Sequence, residues 1–173
     1  MEEMTDMPSI HTRKFVSADP DKCAGCCVCE YICSFEKEKK FNPLESRIRV
    51  VRLDSIINMS IACRLCEDAP CVAACPRDAL MQSEETGTVK VDENKCNGCG
   101  WCIEACDYGA IMLHPDKKVV FVCDLCDGKP KCVEWCPEEA LDFVTKDVLS
   151  QKARLTAVKR LFQEATKEKE KTK

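Results

Sequence analysis

DKCAGCCVCEYIC (residues 21–33) sets five cysteines within thirteen positions. Cys23, Cys26, Cys29 and Cys33 follow the order C-x2-C-x2-C-x3-C, and Cys27 stands outside it. Two successive C-x2-C steps wrap one loop around three corners of a compact body, and the next thiolate is left to serve a second one.

Working outward, three further cysteine groups follow: Cys63, Cys66, Cys71 and Cys75; Cys96, Cys99, Cys102 and Cys106; and Cys123, Cys126, Cys132 and Cys136. They alternate in kind. DPDKCAGC (19–26) matches DENKCNGC (92–99), and CRLCEDAPCVAACP (63–76) matches CDLCDGKPKCVEWCP (123–137) with one residue more in the second copy. Such self-similarity describes a duplicated half, roughly 14–81 and 87–145. The halves differ mainly in EKEKKFNPLESRIRVVRLDSIINMS (36–60), whose counterpart at 107–122 is much shorter.

RKFVS, TVKVD and KVVFV are short β-rich runs ahead of the first, third and fourth groups, and ESRIRVVRL alternates its apolar residues as a strand does. CPRDAL, CDYGAI and CPEEAL read as short helical turns that close the last three groups. In each of them an alanine and an aliphatic stand four and five residues past the final cysteine. Over 147–167, Val148, Leu149, Ala153, Leu155, Val158, Leu161 and Phe162 fall on one helix face, and the end, KEKEKTK, reads as a charged, fraying tail.

Seventeen cysteines in 173 residues is a load typical of disulfide scaffolds. Here the number is odd, MEEMTDMPSI has no apolar signal core, and no twin-arginine pair occurs, so a cytoplasmic chain with reduced cysteines is expected. Clustered C-x-x-C runs in a reducing compartment point to metal or redox centres. No eighteen-residue apolar run exists to span a membrane. Aromatic residues are few, so folding free energy is expected to come largely from metal ligation.

Zinc and iron both accept four thiolates. Structural zinc sites use two separated knuckles or histidines, and His11 and His114 are the only histidines here. Three thiolates at successive C-x2-C steps, with a fourth that ligates a neighbouring cluster, are the bacterial 4Fe–4S spacing. Four such runs in alternating register therefore favour iron–sulfur clusters over zinc sites. Gly25 and Gly98 lie inside the first loops, where backbone amides approach sulfur closely, and both also suit ordinary turns.

In these sixteen grouped cysteines, over about 14–145, the sequence resembles the four-cluster ferredoxin-like electron-transfer subunits of molybdenum and tungsten oxidoreductases, hydrogenases and carbon monoxide dehydrogenases. The resemblance implies an α+β fold of two bacterial-ferredoxin-like double-cluster modules in one compact chain, with a C-terminal helix. It implies an N-terminal extension at 1–13, the four-cluster domain at 14–145, and a helix with charged tail at 146–173. It also implies four 4Fe–4S clusters, with Cys23, Cys26, Cys29 and Cys136 on one and Cys33, Cys123, Cys126 and Cys132 on its neighbour. The second module takes Cys63, Cys66, Cys71 and Cys106, then Cys75, Cys96, Cys99 and Cys102. Ser34 and Asp107 depart from the proline that often follows the fourth cysteine, whereas Pro76 and Pro137 keep it.

The implied function is non-catalytic relay of single electrons between a larger catalytic subunit and a soluble carrier or further electron-transfer subunit. CEYICSFEKEKKFNPLESRIRV (29–50) is similar to subunits that accompany tungsten aldehyde oxidoreductase-type enzymes. The tungsten benzoyl-CoA reductase group is a near neighbour, and hydrogenase, carbon monoxide dehydrogenase and formate dehydrogenase subunits follow. A free-standing polyferredoxin or maturation factor is the alternative.

No nucleophile, acid–base pair or open metal position is visible in the sequence. Residues 1–150 carry a net −9 and 151–173 a net +5. Four clusters of formal −2 with their thiolates take the total from −4 to about −12, which disfavours nucleic acid. Cys27 reads as a small buried side chain, with an exchangeable ligand or redox-sensitive thiol as the other reading. Tyr31, Trp101, Tyr108 and Trp135 stand beside cysteines, where they could shield a cluster or simply pack. His114 reads as structural, and Arg13 and Lys14 as solvated surface.

Overall fold

The computed structural model describes residues 12–54 and 57–171, with side chains placed up to residue 162. His11 and most of the N-terminal extension, Ser55 and Ile56 of the 36–60 segment, and the last two residues lie outside the described residues. Strands β1 (Lys14–Ala18), β2 (Arg49–Leu53), β3 (Ile57–Ile61), β4 (Leu80–Gln82), β5 (Val89–Val91), β6 (Ile111–Leu113), β7 (Val120–Val122) and β8 (Leu141–Thr145) alternate with helices. The helices are α1 (Val28–Glu38), α2 (Pro70–Ala73), α3 (Trp101–Glu104), α4 (Lys131–Glu134) and α5 (Lys146–Lys171). The class is α+β.

The strands are short, most of them carry β-branched or aromatic residues, and they combine into four two-stranded antiparallel pairs. β2–β3, β4–β5 and β6–β7 are sequence neighbours. β1 instead pairs with β8, Lys14 opposite Thr145 through Ala18 opposite Leu141, which joins the start of the first half to the end of the second. Accordingly α1 packs on α4, and α2 on α3. The first cysteine group thus lies with the fourth, and the second with the third.

A two-stranded hairpin is marginal alone. Here the inner faces share one core, in which Phe15, Val16, Ile48, Leu65, Leu80 and Leu141 are buried together with seven cysteines of the four groups and the alanines between them. The first group, for which the spacing gave no closing element, runs into an eleven-residue helix. One expectation changes. CPRDAL, CDYGAI and CPEEAL are not helical: the one-turn helices lie just before the final cysteine, and these segments turn from it into β4, β6 and β8.

The C-terminal helix α5 is longer than its apolar stripe required. Its contacts are with β8, helped by Lys152 paired to Asp142 at 2.7 Å and Arg160 paired to Asp21. Leu149, at the start of the stripe, packs against the core, and the rest faces outward: Leu155, Leu161 and Phe162 are 63, 65 and 71 % exposed. Among the described residues, no helix is long and apolar enough to cross a membrane.

Candidate metal centre

Three cavities are ringed by cysteines. Cys23, Cys26, Cys29 and Cys136, with Cys27 beside them, line one, and Cys63, Cys66, Cys71 and Cys106 line another. Cys75, Cys96, Cys99 and Cys102 line a third. In the fourth place, Cys132 lies buried within the electrostatic reach of Cys123, Cys33 and Cys126. All seventeen cysteines are free thiols. Among the described residues no three His, Cys, Asp or Glu converge on one point as a lone ion requires, and the rings enclose space instead. The donor set is soft thiolate throughout, which suits iron–sulfur chemistry.

The chain sets these sulfurs by a repeated device. The amide of Ala79 donates to Cys75 Sγ at 3.3 Å, that of Ala110 to Cys106 Sγ at 3.4 Å, and that of Ala140 to Cys136 Sγ at 3.3 Å. The next residue in each case, Leu80, Ile111 or Leu141, is buried and begins a strand. This is the physical content of the alanine–aliphatic pair noted in the sequence: a small residue lets the amide reach sulfur, and the aliphatic anchors the turn. Cys33 lies inside α1 and cannot use its own downstream turn. The amide of Arg47 serves it instead at 3.2 Å, followed by the buried Ile48.

Burial of so many thiols has an electrostatic cost. Burial pushes Cys29 up to about 12 and Cys63 up to about 11. It pushes Cys102 up to about 11 and Cys123 up to about 12, with the charge of neighbouring cysteines adding to the rise. Cys132 is raised furthest in the same way, and Cys33, Cys66 and Cys71 also rise, with burial leading. Cys75 is held low: burial opposes its charge, but the amides of Ala79, Arg77 and Leu80 outweigh it. Thiolates crowded in this way call for cations between them, and loading the sites releases protons.

Several contacts had no signal in cysteine spacing. Ser60 of β3 is buried with its Oγ 3.6 Å from Cys29 Sγ and 3.9 Å from Cys23 Sγ. Asp124, directly after Cys123, accepts from Lys37 at 2.8 Å and from Arg47 at 2.6 Å, which ties the first half to the second. Burial works against that carboxylate, but Lys37, the Cys126 amide and Arg47 hold it below its usual range. Only the β2–β3 register could have announced Ser60, because its alternation puts Ser60 and Val50 opposite one another.

Cys27 is half-buried rather than buried: its thiol donates to Gly25 O at 3.4 Å, and Arg52 donates to its sulfur at 3.3 Å. Trp101 and Trp135 are 64 and 58 % exposed, and Tyr31 and Tyr108 are also exposed, so none forms a closed screen over a ring. Arg13 is half-buried and donates to Glu84 O at 2.6 Å, while Lys14 lies over the Phe143 ring. His114 is buried, with Nδ1 accepting from the amides of Asp116 and Lys117 at 3.1 Å each, a turn-forming role. Gly25 and Gly98 both have φ of +69°, and a Cβ on Gly98 would meet Lys118 O at 2.9 Å. These glycines let the loops pass under the hairpins.

Cysteine rings stabilised by amide donors define an iron–sulfur protein of ferredoxin-like class. Residues 55–146 match the 4Fe-4S dicluster domain, and the chain belongs to that family. The polyferredoxin-like subunit of aliphatic sulfonate oxidoreductase from Pyrococcus furiosus is 46 % identical over 139 residues, 79 % of this chain and 80 % of that protein. Electron transport protein HydN of Escherichia coli is 36 % identical over 171 residues, 85 % of this chain and 95 % of that one. The as-isolated active-site complex BamBC of benzoyl coenzyme A reductase contains a chain 27 % identical to this one, with a TM-score of 0.45 over 85 % of this chain and 90 % of that chain.

Proposed function

We propose that this chain is a non-catalytic electron-transfer subunit carrying four 4Fe–4S clusters, which works in the cytoplasm beside a larger catalytic subunit. The ligand sets are Cys23, Cys26, Cys29 with Cys136; Cys33 with Cys123, Cys126 and Cys132; Cys63, Cys66, Cys71 with Cys106; and Cys75 with Cys96, Cys99 and Cys102. They form two double-cluster modules in a domain over 14–145, one from the first and fourth cysteine groups and one from the second and third. The observation that carries this reading is that three separate cavities each gather three cysteines of one group with one of another, in these combinations, with Cys27 as the one addition at the first. The names of the relatives, a polyferredoxin-like oxidoreductase subunit and an electron transport protein, support the same function.

When bound, the clusters supply one-electron redox capacity. The chain's own residues do the rest. Thiolates hold the irons, the amides of Ala79, Ala110, Ala140 and Arg47 stabilise charge on sulfur, and the shared core keeps the rings at fixed separations. The catalytic partner is of the tungsten aldehyde oxidoreductase type, and the outward apolar stripe of α5 is available to dock it. Anaerobically prepared protein should contain about sixteen iron and sixteen sulfide per chain. Zinc in their place, without broad visible absorption, would overturn the reading.

A further inference from the structure

The cavity ringed by Cys23, Cys26, Cys29 and Cys136 and the one ringed by Cys75, Cys96, Cys99 and Cys102 occupy corresponding places in the two halves. One is entered at Cys136-Pro137 and backed by Ala140, the other at Cys75-Pro76 and backed by Ala79. Each takes a wall from the hairpin strand that leads into the next cysteine group, β3 before Cys63 and β7 before Cys123. In both cases the wall residue stands three positions before that cysteine. It is Ser60 in one cavity and Val120 in the other. Their cross-strand partners, Val50 and Leu113, are both aliphatic. At this wall position one cavity has a hydroxyl and the other an isopropyl group; the linings differ also in Cys27 against Gly100.

That hydroxyl has a target. Ser60 is 6 % exposed, and its Oγ lies 3.6 Å from Cys29 Sγ and 3.9 Å from Cys23 Sγ. An iron-bound thiolate carries no proton, so the serine can only donate to it. A donor to sulfur stabilises added negative charge on the cluster, and hydrogen bonds to the sulfurs are among the levers that set cluster potentials. Val120 offers its sulfurs nothing equivalent. Charges at the two mouths also differ, Glu138 against Arg77, but both side chains are exposed and water screens them.

We infer that Ser60 is a potential-setting residue: its O–H holds the cluster on Cys23, Cys26, Cys29 and Cys136 at a higher reduction potential than the same site has with an apolar wall. It thereby makes two corresponding sites of a duplicated chain unequal. The inference rests on the four-cluster reading. The redox event is the addition of one electron from a one-electron donor; no bond forms or breaks, and the serine proton stays on oxygen.

Threonine and valine are nearly isosteric, so Ser60→Thr and Ser60→Val separate the hydroxyl from side-chain bulk. The full-length, cluster-loaded protein is titrated anaerobically with dithionite and mediators, and reduction is followed by low-temperature electron paramagnetic resonance. Ser60→Val should move one component to lower potential, while Ser60→Thr stays with the native protein. An exchangeable-proton coupling to that component, detected on transfer to D2O, should vanish in Ser60→Val alone. Val120→Thr should raise a different component, and this arm decides the matter if Ser60→Val cannot be loaded. Superimposable titrations in every loaded variant would overturn the inference. Failure of the four-cluster reading is seen separately, as too little iron in the native protein before any variant is compared.

Discussion

Cys27 stands where the second half of the chain has Gly100, directly after the second cysteine of the motif. Both residues cap a helix and both are left-handed, with φ of 61° and 88°. For a residue with a Cβ that conformation costs about 1–2 kcal/mol, whereas glycine adopts it freely. The thiol recovers part of that cost through Arg52 and Gly25 O. Replacing Cys27 by glycine should therefore keep every iron and leave the thermal midpoint unchanged or higher, with a net gain below about 1 kcal/mol. Loss of iron from Cys27→Gly would make Cys27 a ligand and move the register of the first motif.

At the scale of elements, α5 combines two properties that rarely stay unused. Its stripe of Leu155, Val158, Leu161 and Phe162 is exposed, and residues 151–173 carry a net +5 against the acidic body. Two polar pairs and the β8 junction hold it, and no ring takes a cysteine from it. Truncation after Thr145 should thus leave iron and sulfide content intact while weakening co-purification with the proposed catalytic subunit. Unchanged assembly, together with unchanged assembly after shortening 36–60, would remove both elements from the interface. The strands before the cysteine groups and this helix were legible because periodicity and β-branched residues mark them locally. The length of α1 was not, because the sequence after Cys33 lacks the alanine–aliphatic turn and its substitute, Arg47-Ile48, comes fourteen residues after Cys33. The short helices were misplaced by one turn because CPRDAL has good helical residues but must bend so that an amide meets sulfur. Ser60 and the Lys37–Arg47–Asp124 contact depend on tertiary register, which spacing does not encode.

The whole molecule has little core apart from its cysteines. Seven described residues of the buried set are cysteines, and several of them are raised well above the ordinary thiol range by burial. Removing iron anaerobically with a chelator should therefore abolish cooperative unfolding and collapse near-ultraviolet circular dichroism, with partial recovery on reconstitution. A chelated chain that kept a sharp native-like transition would mean that the hairpins and aliphatic core suffice.

The pairing of β1 with β8 also fixes an order of manufacture. The strand made first can find its partner only when the last strand has left the ribosome, because Lys14 waits for Thr145. In the proposed pairing, the sites built from the middle of the chain are complete once Cys106 emerges. Cys23, Cys26 and Cys29, made earliest, stay short of a ligand until Cys136 follows. The oldest thiols of the nascent chain are thus the ones left longest unsealed, open to oxygen and to stray metal. A cell making this protein has the most reason to guard its first thirty-three residues.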